Sequence, residues 1–385
     1  NVLSDLKLRG GWGVLGNQAI SYYSYQSVLD QANYSFGGTV VQGVAPVDGA
    51  NRDLIWETTE TLNFGLDMGF LGNQYTLSIE GYRKLTYDIL MKLPVSTLYG
   101  LNAPYQNAGK VKNTGLEITA GYKLNTHGWN FQVSANAAYN KNEVMDLKNG
   151  GARIWSGKYF NQEGYAINSI GGYIAEGLFK TEEEVANSAT IPGTDTAPGD
   201  IKYRDINNDG KIDGEDRVYI GNTMPKWTFG LNLFAEWKGL DATFLFQGAA
   251  DVQGYLAGPG VVGEMIGAKG KPSYMYRDCW DAETNPNGKF PRAFSSYRQN
   301  NSIYNPSSFW IVNSSYLRLK NFQLGYTLPK EWCNMMGISR IRVYYSGQNL
   351  LTFTKFDKGF DPESPEGGSS YPQVKTNTFG LNITF

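Results

Sequence analysis

The stretch Thr61-Leu62-Asn63-Phe64-Gly65-Leu66-Asp67-Met68-Gly69-Phe70 decides how this chain folds. Leu62, Phe64, Leu66, Met68 and Phe70 alternate with Thr61, Asn63, Gly65, Asp67 and Gly69, and successive side chains of a β-strand point to opposite faces. The segment reads as a strand with one oily face and one polar face.

The same register recurs on both sides of it. Tyr75, Leu77 and Ile79 alternate with Thr76, Ser78 and Glu80, and Leu116, Ile118, Ala120, Tyr122 and Leu124 with Glu117, Thr119, Gly121 and Lys123. Trp129, Phe131, Val133, Ala135, Ala137 and Tyr139 hold one face against Asn130, Gln132, Ser134, Asn136 and Asn140. Further segments run through Trp227 to Trp237, Leu240 to Phe246, Phe322 to Leu328 and Ile341 to Tyr345. Leu6-Leu8-Gly10-Trp12 opens the series and Phe379-Leu381-Ile383-Phe385 closes it, which makes ten.

A soluble sandwich or propeller also alternates, so periodicity alone leaves both readings open. Connection lengths separate them. A transmembrane barrel has short turns on one side of the membrane and long loops on the other, and the joins here alternate between those classes. Short ones fall at Gly72-Asn73, 126–128, Lys238-Gly239 and 329–337; long ones run over 13–53, 86–111, 141–226, 249–314 and 354–371. Following that parity, the first strand rises from the periplasm and the last returns to it. Oily-face aromatics gather at strand ends, with Phe70, Tyr75, Trp129 and Trp237 near the short turns and Trp12, Tyr139 and Trp227 near the long loops, as headgroup girdles require.

Composition agrees. The 385 residues are 14% aromatic and only 18% charged, with 46 Gly and 26 Tyr. No window reaches the 18 or more apolar residues of a membrane helix. A net charge of −2 lacks the basic footprint of a nucleic-acid binder, so nucleic acid is not an expected partner. One histidine, His127 in a turn-like Asn-Thr-His-Gly run, argues against His-based zinc or Ser-His-Asp chemistry. Two cysteines, Cys279 and Cys333, make neither a disulfide framework nor a metal site. The parity puts them on opposite sides of the membrane, where they cannot bridge. The chain opens without a signal-peptide pattern, and we expect an N-terminal part to precede it.

Specific phrases carry a family resemblance. Leu6-Lys-Leu-Arg-Gly-Gly-Trp-Gly13, Trp56-Glu-Thr-Thr59 with Asn63-Phe-Gly-Leu-Asp67, Asn113-Thr-Gly-Leu-Glu117, the run from Pro198 to Asp213, Ser315-Tyr-Leu-Arg-Leu-Lys-Asn321 with Leu324-Gly-Tyr-Thr-Leu-Pro329, Asn349-Leu-Leu-Thr-Phe353 and Gly380-Leu-Asn-Ile-Thr-Phe385 resemble, in order, barrel motifs of the SusC/RagA group of TonB-dependent outer-membrane transporters. The resemblance implies an all-β fold: residues 1–385 as the C-terminal part of a transmembrane antiparallel barrel, about ten of 22 strands, without the plug. It also implies a multi-pass location in a bacterial outer membrane, a SusD-like surface lipoprotein as lid, a TonB complex acting through the N-terminal part, and import of oligosaccharides or peptides, with oligosaccharide preferred. No enzyme activity is expected. The competing expectations are an ungated porin-like channel and a carbohydrate-binding β-protein without transport.

One constellation suggests a metal. Asp205, Asn207, Asp209, Lys211 (through its carbonyl), Asp213 and Asp216 fall at the oxygen-ligand positions of a calcium loop, with Gly210 at the sharp turn and Asp216 in place of the usual Glu. The alternative is an Asx-rich turn without metal. Thr181-Glu-Glu-Glu184 has capping-box spacing and predicts a short helix. Asp361 and Glu363 lie in a Pro/Gly-rich loop and read as structural or lid-facing. The long loops carry Tyr22, Tyr23, Tyr25, Trp155, Tyr159, Phe160, Tyr255, Tyr274, Tyr276, Trp280 and Trp310, for which loop packing is the first expectation and cargo contact the second; no subset marks a substrate site.

Overall fold

The computed structural model describes residues 2–256, 277–293, 305–356, 360–364 and 373–385. Ten strands form one antiparallel sheet in chain order: β1 (Leu3–Asn17), β2 (Glu57–Phe70), β3 (Tyr75–Lys92), β4 (Tyr105–Thr126), β5 (Trp129–Asp146), β6 (Trp227–Trp237), β7 (Leu240–Ala250), β8 (Tyr316–Thr327), β9 (Arg340–Thr354) and β10 (Thr376–Thr384). The ten alternating segments are these ten strands. The sheet does not close on itself, because β1 and β10 are its two edges.

The register keeps the oily residues on one face. Leu8 lies opposite Leu66, Leu66 opposite Ile79, Ile79 opposite Ile118, and Ile118 opposite Ala137. None of Leu66, Val133, Leu231 and Phe244 belongs to a buried core cluster, and no second sheet covers them among the described residues. A soluble sandwich would have buried that face. Rings pair where strand ends meet: Trp129 stacks on Trp237 with centroids 5.3 Å apart, and Tyr139 meets Trp227 at 4.9 Å.

Two-residue turns close two of the hairpins. His127-Gly128 and Lys238-Gly239 both have positive φ at each position (47° and 82°; 47° and 84°), the type I′ geometry whose twist matches the strands it joins. Gly239 must be glycine for a second reason, since a Cβ there would lie 2.5 Å from the Thr327 carbonyl oxygen. The fourth short join is longer and carries a helix, α2 (Lys330–Met335), packed through the fully buried Cys333.

One expected boundary needs correction. The join expected at 86–111 shrinks to 93–104, because β3 and β4 keep pairing out to Lys92 and Tyr105. Asp88 at φ 56° takes up a register shift between Thr86 and Ile89, and an irregularity of this kind hides the period-two signal without ending the strand.

The described parts of the long loops, residues 147–226, 251–256, 277–293 and 305–315, fold together into a domain-like cap. Ser169–Gly172 pairs with Val218–Gly221 and with Tyr159–Asn161, Ala175–Leu178 with Ile201–Tyr203, and Gln253–Tyr255 with Ile311–Asn313. Ile170, Tyr173, Ile201, Tyr203, Ile212, Tyr255, Leu256, Cys279, Trp310 and Phe356 form their common core. Helix α1 (Glu182–Ala186) starts where the capping spacing placed it, with Thr181 Oγ1 accepting from Glu184 N–H at 3.1 Å. Glu184 reaches back one residue further than a standard box, accepting from Lys180 N–H.

Candidate functional site: the polar wall and the loop cap

Strand alternation places charged residues together on the polar face of the wall. Arg9 on β1 donates to Asp67 on β2 at 2.7 Å and to Glu80 on β3 at 2.8 Å, and Asp67 also accepts from Ser78, Glu80 from Asn63. Across the sheet, Arg342 on β9 holds Asp241 on β7 in a fork, 2.9 and 2.5 Å, and donates to Gln323 at 2.9 Å. These bidentate contacts fix the direction of both partners. Beside them a cleft of about 720 Å³ opens on the polar face, lined among others by Glu236, Asp241, Gln323, Arg340 and Arg342. Such a face suits water or polar cargo, and it is the opposite of the uncovered oily face.

The sequence reading named none of these arginines. A signal was present, because Arg9 and Arg342 stand at polar positions between oily neighbours, on the face that also carries Asp67, Glu80 and Asp241.

The loop from Asp205 to Asp216 forms a compact turn. Asp205 accepts from the backbone N–H groups of Asn208, Asp209 and Gly210; Asn207 accepts from Asp209 N–H, and Asp209 from Lys211 N–H. Asp216 is fully buried, its two oxygens accepting from Ile206 and Asp213 N–H, each at 2.8 Å. Asp213 in turn caps the short turn after it, accepting from Glu215 N–H. Lys211 contributes its ammonium, 3.0 Å from Asp213 and 3.5 Å from Asp209; the Glu215 N–H bond, and after it this ammonium, hold the Asp213 carboxyl below its ordinary range. Among the described residues no group of three or more His, Cys, Asp or Glu side chains is arranged to hold a metal. Backbone N–H groups and the Lys211 ammonium are the partners of these carboxylates.

The loop aromatics divide into two kinds. Phe160, Tyr255, Trp280 and Trp310 are buried in the cap, and Trp155 lies under the Arg217 guanidinium at 3.8 Å. Gly199, at φ 90°, makes room for Trp280, whose ring would lie 2.4 Å from a Cβ there. These rings pack the loops. Tyr22, Tyr23 and Tyr25 instead face solvent beside Trp56 and line a cleft of about 440 Å³. Tyr274 and Tyr276 lie outside the described residues. A larger cleft of about 740 Å³ borders Glu182, Arg277, Asp281, Thr284 and Arg292.

Asp361 and Glu363 are structural. Arg318 on β8 reaches Asp361 at 2.8 Å and Glu363 at 3.2 Å, with the Arg318 and Asp361 side chains both nearly inaccessible. Ser314 adds a bond to the Pro362 carbonyl at 2.6 Å. Together they clamp residues 360–364 onto the top of the wall.

A sequence profile of the family described as TonB dependent receptor-like, beta-barrel matches residues 2–350. TonB-dependent receptor P3 of Formosa agariphila is 31% identical, over 100% of this chain and 40% of its own length. TonB-dependent receptor SusC of Bacteroides thetaiotaomicron is 30% identical, over 100% of this chain and 38% of its own. The solved structure of the RagAB peptide transporter matches with a TM-score of 0.79 at 28% identity, covering 100% of this chain and 41% of that one. The chain therefore spans about two fifths of the length of the relatives it matches.

Proposed function

This chain belongs to the TonB-dependent receptor-like β-barrel family, and from that premise we propose that it builds part of the wall and the outer rim of an energised nutrient importer in a bacterial outer membrane. One observation carries the reading: a ten-stranded antiparallel sheet with an uncovered oily face, an ion-paired polar face, and two unpaired edges. In hydrocarbon an unpaired strand edge is too costly to persist, so β1 and β10 must be continued by further strands of the same protein. A wall of ten strands would enclose little beyond packed side chains, whereas a wider closure leaves a lumen for cargo.

The cargo is an oligosaccharide or a peptide. SusC stands among the relatives and the RagAB peptide transporter among the structural matches. A SusD-like lipoprotein covers the loop cap, and a TonB complex acts through the N-terminal part of the protein. The wall itself does no covalent chemistry. Calcium at Asp205–Asp216 belongs to the same proposal and rests on the spacing of the oxygen side chains. Binding would require the Lys211 ammonium to leave Asp209 and Asp213.

The test uses the full-length protein in its native membrane. Ligands retained on purification are identified by mass, and their uptake by cells is followed with and without a protonophore. Uptake that stops with the protonophore supports the importer. Uptake that continues unchanged identifies an ungated channel, and a retained glycan with no uptake identifies a binding protein without transport.

A further inference from the structure

The turn at 328–339 differs from the other turns at its end of the sheet. Those at 127–128 and 238–239 spend two residues on joining their strands, while this one spends enough to build α2. It hangs at the same rim: Thr327 N–H donates to the Gly239 carbonyl, Leu328 N–H to that of Ile341, and Ser339 N–H to that of Thr384. At 3.6 residues per turn, Met335, Trp332, Met336 and Cys333 occupy one continuous arc of about 160°, and Lys330, Asn334 and Glu331 fill the remainder. Cys333 alone of the apolar arc is buried against the protein. Met335, Trp332 and Met336 are 80%, 54% and 53% exposed.

A short amphipathic helix with a bulky uncovered arc needs an apolar environment on that side and water on the other. The oily face of the wall supplies a neighbour of that kind, since Tyr326 at the end of β8, Trp237 at the end of β6 and Phe385 beyond β10 are exposed along the same rim. The cleft on the polar face is lined by Arg340 and Thr384 but by none of Trp332, Met335 and Met336. The exposed apolar arc is thus separate from that polar cleft and shares its rim with exposed residues of the oily face. A Trp flanked by flexible apolar chains is suited to the boundary between headgroups and acyl chains.

We infer that α2 is an interfacial foot, with Trp332, Met335 and Met336 immersed in the headgroup–acyl boundary of the periplasmic leaflet. The inference rests on the membrane reading of the wall. It is tested with nitroxide labels placed one at a time at Met335, at Lys330 on the opposite arc, and at Ile118 on the oily face, in the full-length protein in phospholipid vesicles. Collision with dissolved oxygen is compared with collision with a water-soluble nickel chelate. The label at Met335 should show an oxygen-to-nickel ratio several-fold above that at Lys330 and below that at Ile118. A Met335 label as open to nickel as the Lys330 label overturns the inference, and so does protection from both reagents, which would mean a protein partner covers the arc. If the Ile118 label is itself open to nickel, the membrane reading of the wall fails and the foot with it, whereas a failure at Met335 alone leaves that reading standing.

Discussion

Replacing Arg318 by Met should release residues 360–364 from the wall without unfolding it. Arg318 is 2% exposed and holds Asp361 at 2.8 Å, Glu363 at 3.2 Å and, through Nε, Thr352 Oγ1 at 3.1 Å. Removing one member of a buried ion pair leaves the other charge uncompensated, which costs about 3–5 kcal/mol. Asp361 keeps the Glu363 N–H bond and Glu363 keeps Lys320 at 3.7 Å, so the lower end applies. A cost of about 3 kcal/mol is roughly a hundredfold rise in local opening. Limited proteolysis of the full-length protein in outer-membrane vesicles should show cleavage within 355–375 faster by about that factor, with the heat-modifiable band of the folded barrel unchanged. Replacing Arg318 by Met and Asp361 by Leu together should recover most of the resistance, because an apolar pair removes the stranded charge. Wild-type cleavage rates in Arg318→Met would refute the clamp.

Four further outcomes follow. Leu231→Arg, on the oily face, should destabilise the folded barrel by about 2–4 kcal/mol in urea unfolding from bilayers, while Asn232→Arg on the polar face should be tolerated; equal effects would contradict the assigned faces. If the Asp205–Asp216 loop is a calcium site, calorimetry on the full-length protein will show one binding event that Asp205→Ala abolishes, and identical heats in both proteins would leave only the Asx turn. Asp213 titrates below its unfolded value, so its contribution is present above the ordinary carboxylate range and lost as pH falls through the folded pKa; hydrogen exchange across 206–216 should accelerate only on that acid side, and acceleration beginning near neutrality would contradict it. Burial pushes the Cys279 thiol up to about 11, and Cys333 is fully buried, so non-reducing mass spectrometry should find both unalkylated and unbridged after brief maleimide treatment at pH 7; a Cys279–Cys333 crosslink would mean that the strand count or the membrane orientation is wrong.

The wall was legible before any coordinates because a strand's two faces are set by a local rule. Every second residue shares a face, so Leu62 to Phe70 declare their strand without reference to the rest of the chain. The His-Gly and Lys-Gly turns are equally local, and so is the Thr181 cap. The long-range charge pairs, in the loops and between strands alike, obey no such rule. Arg318 and Asp361 are 43 residues apart, Arg292 and Asp200 92, and Arg342 and Asp241 101. Nothing in their neighbourhoods says which acid meets which base. The spacing from Asp205 to Asp216 is readable in the sequence, but the ammonium of Lys211 between two of its carboxylates is not, since a calcium loop uses only the backbone carbonyl at that position. Sequence alone therefore determined the ten strands, their two faces and the family they resemble. Tertiary structure decided which charges pair, which aromatics pack the cap, and where the sheet leaves its edges open, because those depend on contacts that only the folded chain brings within reach.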